Sequence, residues 1–233
     1  MIQPGSRPTN RPMLVASGAA VAIMVATSAW GWSHIPDDAQ IPIHWGLDGQ
    51  PDGFAPKAVG LLALPALGLV ISALLAIVPA IEPRRENLNR SAPAYRAVWL
   101  SVLGLLVVLH GAAVVAATGA VVDMAGLVAA GVGAMFVVIG NVLGKVRSNF
   151  MFGIRTPWTL TSDRSWNRTH RLGGRLMVAL GLVVVGATVL GLRGEPLFAI
   201  MCGGGLALVI GVVVYSYLAW RADPDRRTGR PTT

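Results

Sequence analysis

The chain has 233 residues, of which 54% are apolar and 13% are charged. This composition excludes an ordinary soluble domain, which needs more polar surface at that length. The net charge of +8 would suggest nucleic acid for a soluble protein, but the charges flank apolar runs. We therefore expect anionic membrane lipids as partners, no direct contact with nucleic acid and no cofactor. The single cysteine, Cys202, excludes an intramolecular disulfide and implies no thiol metal site.

Six apolar runs are long enough to cross a membrane as helices, which takes about 18 residues or more. They cover residues 13–32, 58–81, 97–120, 124–143, 176–192 and 196–220. The fifth run is the shortest, and we expect it to continue a helix that begins in the preceding loop. The sequence thus predicts an all-α, polytopic membrane protein with six transmembrane helices.

The basic residues are distributed unevenly about these runs. Seventeen of the nineteen Lys and Arg residues lie on one side of the six-span pattern, and only Lys57 and Arg193 lie on the other. The positive-inside rule then places both termini in the cytoplasm.

The first run has an alternative interpretation as a signal peptide, because Arg7 and Arg11 precede it. However, its length exceeds the usual apolar region of about 7–15 residues. Trp30 and Trp32 also follow it, where an interfacial anchor is expected. We therefore predict that it remains as the first helix.

Small residues recur along three spans at spacings that place them on one helix face. The third span carries Ala97, Gly104, Gly111 and Thr118, the fourth carries Gly126, Ala130, Gly133, Gly140 and Gly144, and the fifth carries Gly174, Gly181 and Thr188. Helix association in lipid depends on such close approach. We expect spans three and four to form an antiparallel hairpin, with their glycine stripes facing each other or the fifth span.

One ionisable side chain, His110, lies well inside a span. An ionisable group in the membrane is a functional hypothesis by default. The alternative is a neutral imidazole that is hydrogen-bonded to a neighbouring helix. We favour the alternative, because no acidic or basic group at the same depth could complete a proton relay.

The outer loop, residues 34–57, is long and acidic. It contains Asp37, Asp38, Asp48 and Asp52 against Lys57, with Pro and Gly pairs that indicate tight turns. The alternation of Ile41, Ile43 and Trp45 predicts a short extended segment laid on the membrane surface. His44, Asp48 and Asp52 could supply metal ligands, but a metal site normally needs about four. We favour a folded cap and expect no metal.

The inner loop, residues 144–175, combines a turn with an amphipathic helix. Pro157 restricts Thr156 to extended conformations, so that segment is predicted to be a turn rather than a helix. A helix should start at Thr161 or Ser162, followed by Asp163, and lead into the fifth span. Its basic stripe is Arg164, Arg168, Arg171 and Arg175, and the opposite face carries Trp166, His170, Gly173 and Met177.

This helix has two interpretations. It could be an interfacial anchor, with its arginines on lipid phosphates and Trp166 in the acyl boundary. It could instead be a docking surface for a cytoplasmic partner. The residues alone favour the anchor.

The inner loop resembles the SdpI family, the immunity proteins of a bacterial sporulation-delaying toxin system. The similar residues are Gly140-Asn141, Lys145, Asn149, the run from Gly153 to Leu160, Ser162, Trp166, Thr169-His170-Arg171 and Gly173. The outer segment Ile41-Pro42-Ile43-His44-Trp45, with Gly49, Pro51-Asp52 and Lys57, is similar to a short domain of unknown function that often precedes it. The two resemblances cover nearly the whole chain apart from both tails and the last helix. Gly144 departs from the pattern, because relatives often carry Pro there.

The resemblance implies a multi-pass protein of the bacterial plasma membrane that is not an enzyme. It would protect a cell from a secreted peptide toxin and capture a cytoplasmic transcriptional repressor. Toxin sensing would fall on His44, Trp45, Asp48 and Asp52. Partner binding inside would fall on Asn141, Lys145, Asn149, Gly153, Arg155, Thr156, Pro157, Trp158, Trp166 and His170.

The expected organisation follows from these segments. It comprises a disordered N-terminus at 1–12, a first helical hairpin at 13–81 with the outer loop at 34–57, an SdpI-like four-helix domain at 95–220 with the inner loop at 144–175, and a disordered basic tail at 221–233. A small-molecule or lipid transporter is the alternative, although no internal repeat or nucleotide-binding motif supports it. A membrane enzyme ranks third, because no paired nucleophile and base can be placed.

Overall fold

A computed structural model describes residues 10–227 of the chain. In chain order the elements are α1 (Arg11–His34), β1 (Gln40–Trp45), β2 (Pro51–Pro56), α2 (Lys57–Ile81), α3 (Arg85–Arg90), α4 (Ala92–Ala117), α5 (Met124–Leu143), α6 (Pro157–Leu160), α7 (Asp163–Val189) and α8 (Gly194–Arg221), followed by a 3-10 turn at Pro224–Arg227. Six of these described helices are long and apolar enough to span a membrane, which confirms the six predicted spans. The cytoplasmic placement of both termini stays a prediction.

The helix boundaries extend beyond the apolar runs. As predicted, the fifth span starts in the inner loop: α7 begins at Asp163, and Ser162 caps it by accepting a hydrogen bond from the Ser165 N–H. Both helices reach slightly into the segments predicted as tails, since α1 already starts at Arg11 and α8 runs to Arg221. The rest of the predicted disorder, at residues 1–9 and 228–233, lies outside the described residues.

The connections gather at two ends of the helix bundle. The end that we call the hairpin end carries the β1–β2 hairpin and the turns between α4 and α5 and between α7 and α8. The opposite end, which we call the motif end, carries the segments at 82–91, 144–162 and 222–227. The two predicted functional loops therefore lie at opposite ends of the protein.

Glycines bring α5 and α7 into backbone contact. A Cβ atom added at Gly174 would lie 2.5 Å from the carbonyl oxygen of Gly140, and one added at Gly181 would lie 2.4 Å from that of Gly133. No side chain fits between the two helices at these points. The prediction that the glycine stripe of the fourth span faces the fifth is confirmed.

The glycines of the third span do not take part in this packing, so that part of the prediction is wrong. A Cβ added at Gly104 or Gly111 would meet nothing within 4 Å. Helix α4 instead packs through large side chains, among them the fully buried Trp99, whose indole N–H donates to Ser17 Oγ of α1 at 2.9 Å. Aromatic surface and side-chain hydrogen bonds hold α4 to α1, whereas small residues hold α5 to α7.

Helix α4 links two groups of helices. It contacts α1 and α2 on one side and α5 on the other, while α7 packs between α5 and α8. One buried cluster joins α1 to α4 through Met13, Ala20, Tyr95, Trp99 and Leu103, together with Leu88 of α3. A second joins the last three spans through Ala129, Val184, Ala187 and Leu197. The groove and the cleft described below both lie where these two groups of helices meet.

Candidate functional site

The outer loop folds as a β-hairpin rather than as a single extended segment. Strands β1 and β2 pair antiparallel, with irregular register around His44. Gly46 and Gln50 close the turn, and Gly49 adopts a φ of 77°, which only glycine adopts without strain. The period-two pattern showed extended backbone, but the pairing of β1 with β2 is a contact between segments that the pattern does not contain.

A buried lysine fixes this hairpin to the helices. Lys57, only 5% exposed, donates from Nζ to the Ile35 carbonyl at 2.6 Å and to Asp37 Oδ1 at 2.8 Å. Its hydrogen bond and its charge lower the pKa of the Asp37 carboxyl. The same ammonium lies 5.4 Å from the ring centre of Trp32. Lys57 therefore acts as a structural cation at the base of the hairpin.

The four predicted toxin-facing residues occupy different places on the hairpin. His44 Nδ1 is hydrogen-bonded to Asp52 Oδ1, and both side chains are largely exposed. Asp48 accepts the Gln50 N–H within the turn, and Trp45 is half-buried. Within residues 10–227, no group of three or more His, Cys, Asp or Glu side chains is arranged to hold a metal ion. His44, Asp48 and Asp52 therefore help to fold the hairpin and remain at its surface.

A largely apolar groove of about 850 Å³ lies beneath the hairpin. Helix α4 contributes Leu109 and Ala113 to it, while His44 and Asp52 stand among its lining residues on the hairpin. The other lining side chains come from α2, α5 and α8 and include Ala63, Leu64, Met124, Val128, Leu197, Phe198 and Met201. The groove thus spans both groups of helices and has polar groups only at the hairpin. This geometry suits a ligand with an apolar body and a polar or charged end.

At the motif end, a glutamate that sequence analysis overlooked organises the inner loop. Glu82, at the end of α2, is 1% exposed. Its carboxylate accepts backbone N–H groups from Arg84 at 2.8 Å, Phe150 at 3.0 Å and Met151 at 2.8 Å. A buried carboxylate is stable only when its oxygens are satisfied in this way. The only signal for it in the sequence is an acidic residue at the end of an apolar span, beside Arg84 and Arg85.

Two predicted partner-binding residues shape the same loop from inside. Asn149 is fully buried, and its Oδ1 accepts the N–H groups of Met151 and Phe152. Thr156 has extended backbone, as Pro157 dictates, and forms a reciprocal capping box with Thr159. The turn predicted after it is wrong in detail, because residues Pro157–Leu160 form one helical turn, α6. Pro is well tolerated there, since the first turn of a helix needs no N–H from it.

Trp166 and His170 also point into the protein. Both are fully buried and stack with ring centres 4.1 Å apart. The Trp166 indole donates to the Val146 carbonyl at 2.8 Å, and His170 Nε2 accepts the Ile154 N–H at 2.9 Å. Trp166 therefore does not lie in the acyl boundary, which corrects the anchor interpretation for this face of α7. The inner loop packs against this face of α7 instead.

Gly153 completes this arrangement. Its φ is 113°, and a Cβ added there would lie 2.5 Å from His170 Nε2. Only glycine allows the chain to pass over the imidazole with that backbone. Asn141, Lys145, Arg155 and Pro157 are exposed, and Trp158 is half-buried with its ring 5.3 Å from that of Tyr217. The predicted partner-binding set thus contains residues that fold the loop and others whose side chains lie at the surface.

His110 lies in a hydrogen-bonded contact between three helices. Its Nε2 is 2.9 Å from Ser28 Oγ of α1, and Ser28 in turn donates to the Leu61 carbonyl of α2 at 2.7 Å. The imidazole is fully buried, and its Nδ1 has no partner within residues 10–227. The interpretation of His110 as a structural residue requires a hydrogen bond to a neighbouring helix, and this contact is such a bond.

Comparison with known proteins places both functional loops in described families. Residues 145–216 match the model of the SdpI/YfhL protein family, and residues 19–69 match the domain of unknown function DUF1648. The part of the chain that holds the inner loop is thus similar to the SdpI family. It is also 25% identical over 199 residues to the immunity protein SdpI of Bacillus subtilis (strain 168), covering 85% of this chain and 89% of that protein. No solved structure matches it.

The six spans and these matches make the chain a multi-pass protein of the bacterial plasma membrane that is a homologue of a membrane immunity protein. The SdpI family that it resembles is not a family of enzymes. The DUF1648 match contains the hairpin, and the SdpI match contains the inner loop from Lys145 onward. The SdpI match also reaches residue 216 in α8, the helix that the sequence resemblance had left out. Residues 70–144, with α4 and α5, lie in neither match.

Proposed function

We propose that this protein protects the cell that carries it from a secreted peptide toxin. The observation that supports this most directly is its similarity, over 85% of the chain, to a protein named for immunity. A groove at the hairpin end supports it independently, because it could hold a peptide that approaches the membrane from outside.

The toxin that fits this site is a cationic, amphipathic peptide. The hairpin and the segment before it carry four aspartates, Asp37, Asp38, Asp48 and Asp52, which would attract positive charge once this end faces the exterior. The apolar face of the peptide would then enter the groove beneath, which Ala63 of α2 and Phe198 of α8 both line. Binding there would hold the peptide away from the lipid bilayer that it damages.

Filling the groove is expected to weaken this protection. Ala63 lines the groove on α2, so Ala63→Phe places a ring where the peptide would sit. We expect the peptide concentration that halves the survival of expressing cells to fall by about tenfold, the equivalent of losing one well-packed apolar contact. The measurement is survival of a sensitive bacterial host over a range of toxin concentrations.

The matched control is Ala73→Phe, since Ala73 is an exposed alanine on the same helix that does not line the groove. Protein levels in the membrane fraction are compared for both variants. Equal survival with both variants would remove the groove from the proposal but leave immunity intact. No protection by the unaltered protein would refute immunity itself.

We further propose that the exposed part of the inner motif docks a cytoplasmic repressor. The candidates are Lys145, Arg155 and Pro157, which are exposed beside the buried residues that fold the loop. Arg155 is held by a hydrogen bond from its guanidinium to the Phe150 carbonyl at 2.7 Å, so its position depends on the loop. A rigid loop with exposed cations is a suitable surface for an acidic patch on a protein.

The double variant Lys145→Ala/Arg155→Ala tests this proposal. The repressor is taken as any small DNA-binding protein encoded beside this gene, tagged with a fluorescent protein. We expect toxin to recruit it to the membrane in cells with the unaltered protein, and the double variant to reduce recruitment at least about tenfold while survival is kept. Equal recruitment with both proteins would exclude this surface.

A further inference from the structure

A second cavity at the motif end is polar and rich in arginine. This cleft of about 880 Å³ lies between three segments that are far apart in sequence: the region of α3, the loop after α5 with the start of α7, and the chain after α8. Its charged lining residues are Arg84, Arg90, Arg147, Arg164, Arg226, Asp163, Asp223 and Asp225. The arginines outnumber the aspartates, so the cleft carries an excess of positive charge.

The contacts within the cleft show which charges are already used. Arg90 is paired with Glu86, and Arg226 donates to backbone carbonyl groups at the end of α8. The buried Asp223 accepts hydrogen bonds from the Ser162 hydroxyl and the Asp225 N–H. These groups therefore contribute less to binding than their formal charges suggest.

Three guanidinium groups, described next, remain available to bind a ligand in the cleft. Arg84 is oriented by a hydrogen bond to Ser148 Oγ at 2.5 Å and by the ring of Phe150, 4.5 Å away. The side chains of Arg147 and Arg164 make no hydrogen bond or ion pair within the described chain, residues 10–227. Arg84 comes from the region of α3, and Arg147 and Arg164 come from the segment that joins α5 to α7. Arg84 is held in place before a ligand arrives.

We propose that this cleft binds a phosphate group. Guanidinium groups match phosphate oxygens in pairs of parallel hydrogen bonds, and several of them around one anion are the usual way in which proteins hold it. If the motif end faces the cytoplasm, the phosphate belongs either to the headgroup of an anionic lipid or to a soluble phosphorylated compound. Binding would join α3, the inner loop and α7 through one anion, and so connect the two groups of helices at this end.

The structure also separates this cleft from the rest of the basic stripe on α7. Arg164 lines the cleft, whereas Arg168 and Arg171 are exposed outside it. A diffuse attraction of the stripe to lipid would involve all of them equally. A phosphate site in the cleft requires that Arg164 contributes more to anion binding than Arg168 and Arg171 do.

The test compares Arg147→Gln/Arg164→Gln with the control Arg168→Gln/Arg171→Gln, which removes the same charge from the same end. Full-length protein in neutral detergent is titrated with inorganic pyrophosphate and followed by isothermal calorimetry. In a second arm, native mass spectrometry counts the phosphatidylglycerol molecules retained per protein. We expect the cleft variant to weaken binding by about tenfold or more, and the control variant to leave it within about twofold.

The two arms identify the source of the phosphate. Pyrophosphate binding lost only in the cleft variant supports a soluble ligand, and phosphatidylglycerol lost only in the cleft variant supports a lipid headgroup. An equal loss in both variants, or no binding in either arm, would overturn the proposal. Binding of an acidic peptide such as polyglutamate in preference to both phosphate probes would also overturn it, since the cleft would then serve a protein.

Discussion

Replacing Gly174 or Gly181 by alanine should destabilise the protein far more than adding a methyl group to the glycines of α4. Each new Cβ would meet a backbone carbonyl oxygen of α5 at 2.5 Å or less, so the two helices must move apart. Backbone atoms cannot rotate away as a side chain can, and overpacking of this kind costs about 3 kcal/mol. In lipid, where burial of apolar surface gains little, close helix contact is what holds the pair together.

The controls for this experiment lie on α4. Gly104→Ala and Gly111→Ala add the same methyl group where nothing stands within 4 Å. They should leave stability unchanged or raise it by up to about 1 kcal/mol, because alanine favours the helix over glycine. The measurement is the thermal midpoint in detergent, with the fraction of monodisperse protein after heating. A midpoint for Gly181→Ala equal to that of Gly104→Ala would show that α5 and α7 are not in backbone contact.

The α5–α7 contact also lies between the two regions on which the proposed functions depend. The inner loop connects these two helices, and it is held between them by the stacked pair Trp166 and His170. At the hairpin end, Asp123 caps α5 and is paired with Arg193, at 2.6 Å, just before α8 begins. A change in the distance between α5 and α7 would therefore shift both the inner loop and the helices that line the groove.

The spans could be predicted from sequence because each depends on local composition. Apolar length defines a membrane helix, and the fifth span was correctly extended upstream because Ser162 and Asp163 form a local start signal. The glycine spacing on α5 and α7 also predicted a close face. It could not exclude α4, since spacing shows that a helix has a small face but not which neighbour meets it.

The candidate site could be predicted only as a set of residue positions. The motif around Thr156 was found, but the sequence did not show that Asn149, Trp166 and His170 point inward. Glu82 was missed because its partners are the backbone N–H groups of Phe150 and Met151, and backbone groups have no signature in a sequence. A cleft formed by three segments that are far apart in the sequence cannot be predicted either, because the sequence does not show which segments meet.

Glu82→Gln should release the inner loop while leaving the six spans in place. The carboxylate of Glu82 accepts N–H groups from Arg84 and from Phe150 and Met151 of the loop. The amide of glutamine would turn one acceptor into a donor that faces them. Losing charge-assisted bonds to buried N–H groups costs about 2–4 kcal/mol. Trypsin reports the opening directly, because the exposed Arg147 and Arg155 flank the segment that Glu82 holds. We expect cleavage in the variant to be at least about tenfold faster.

The chain provides a matched control in Glu86→Gln. Glu86 is 77% exposed and forms only a surface ion pair with Arg90, an interaction that contributes less than about 1 kcal/mol. Its loss should leave cleavage at Arg147 and Arg155 unchanged, although both variants remove the same charge from the same end. Equal cleavage rates in the two variants would mean that the loop is held by Trp166 and Asn149 alone. Faster cleavage only in Glu82→Gln would show that one carboxylate, placed at the end of the second span, keeps the family motif in its folded form.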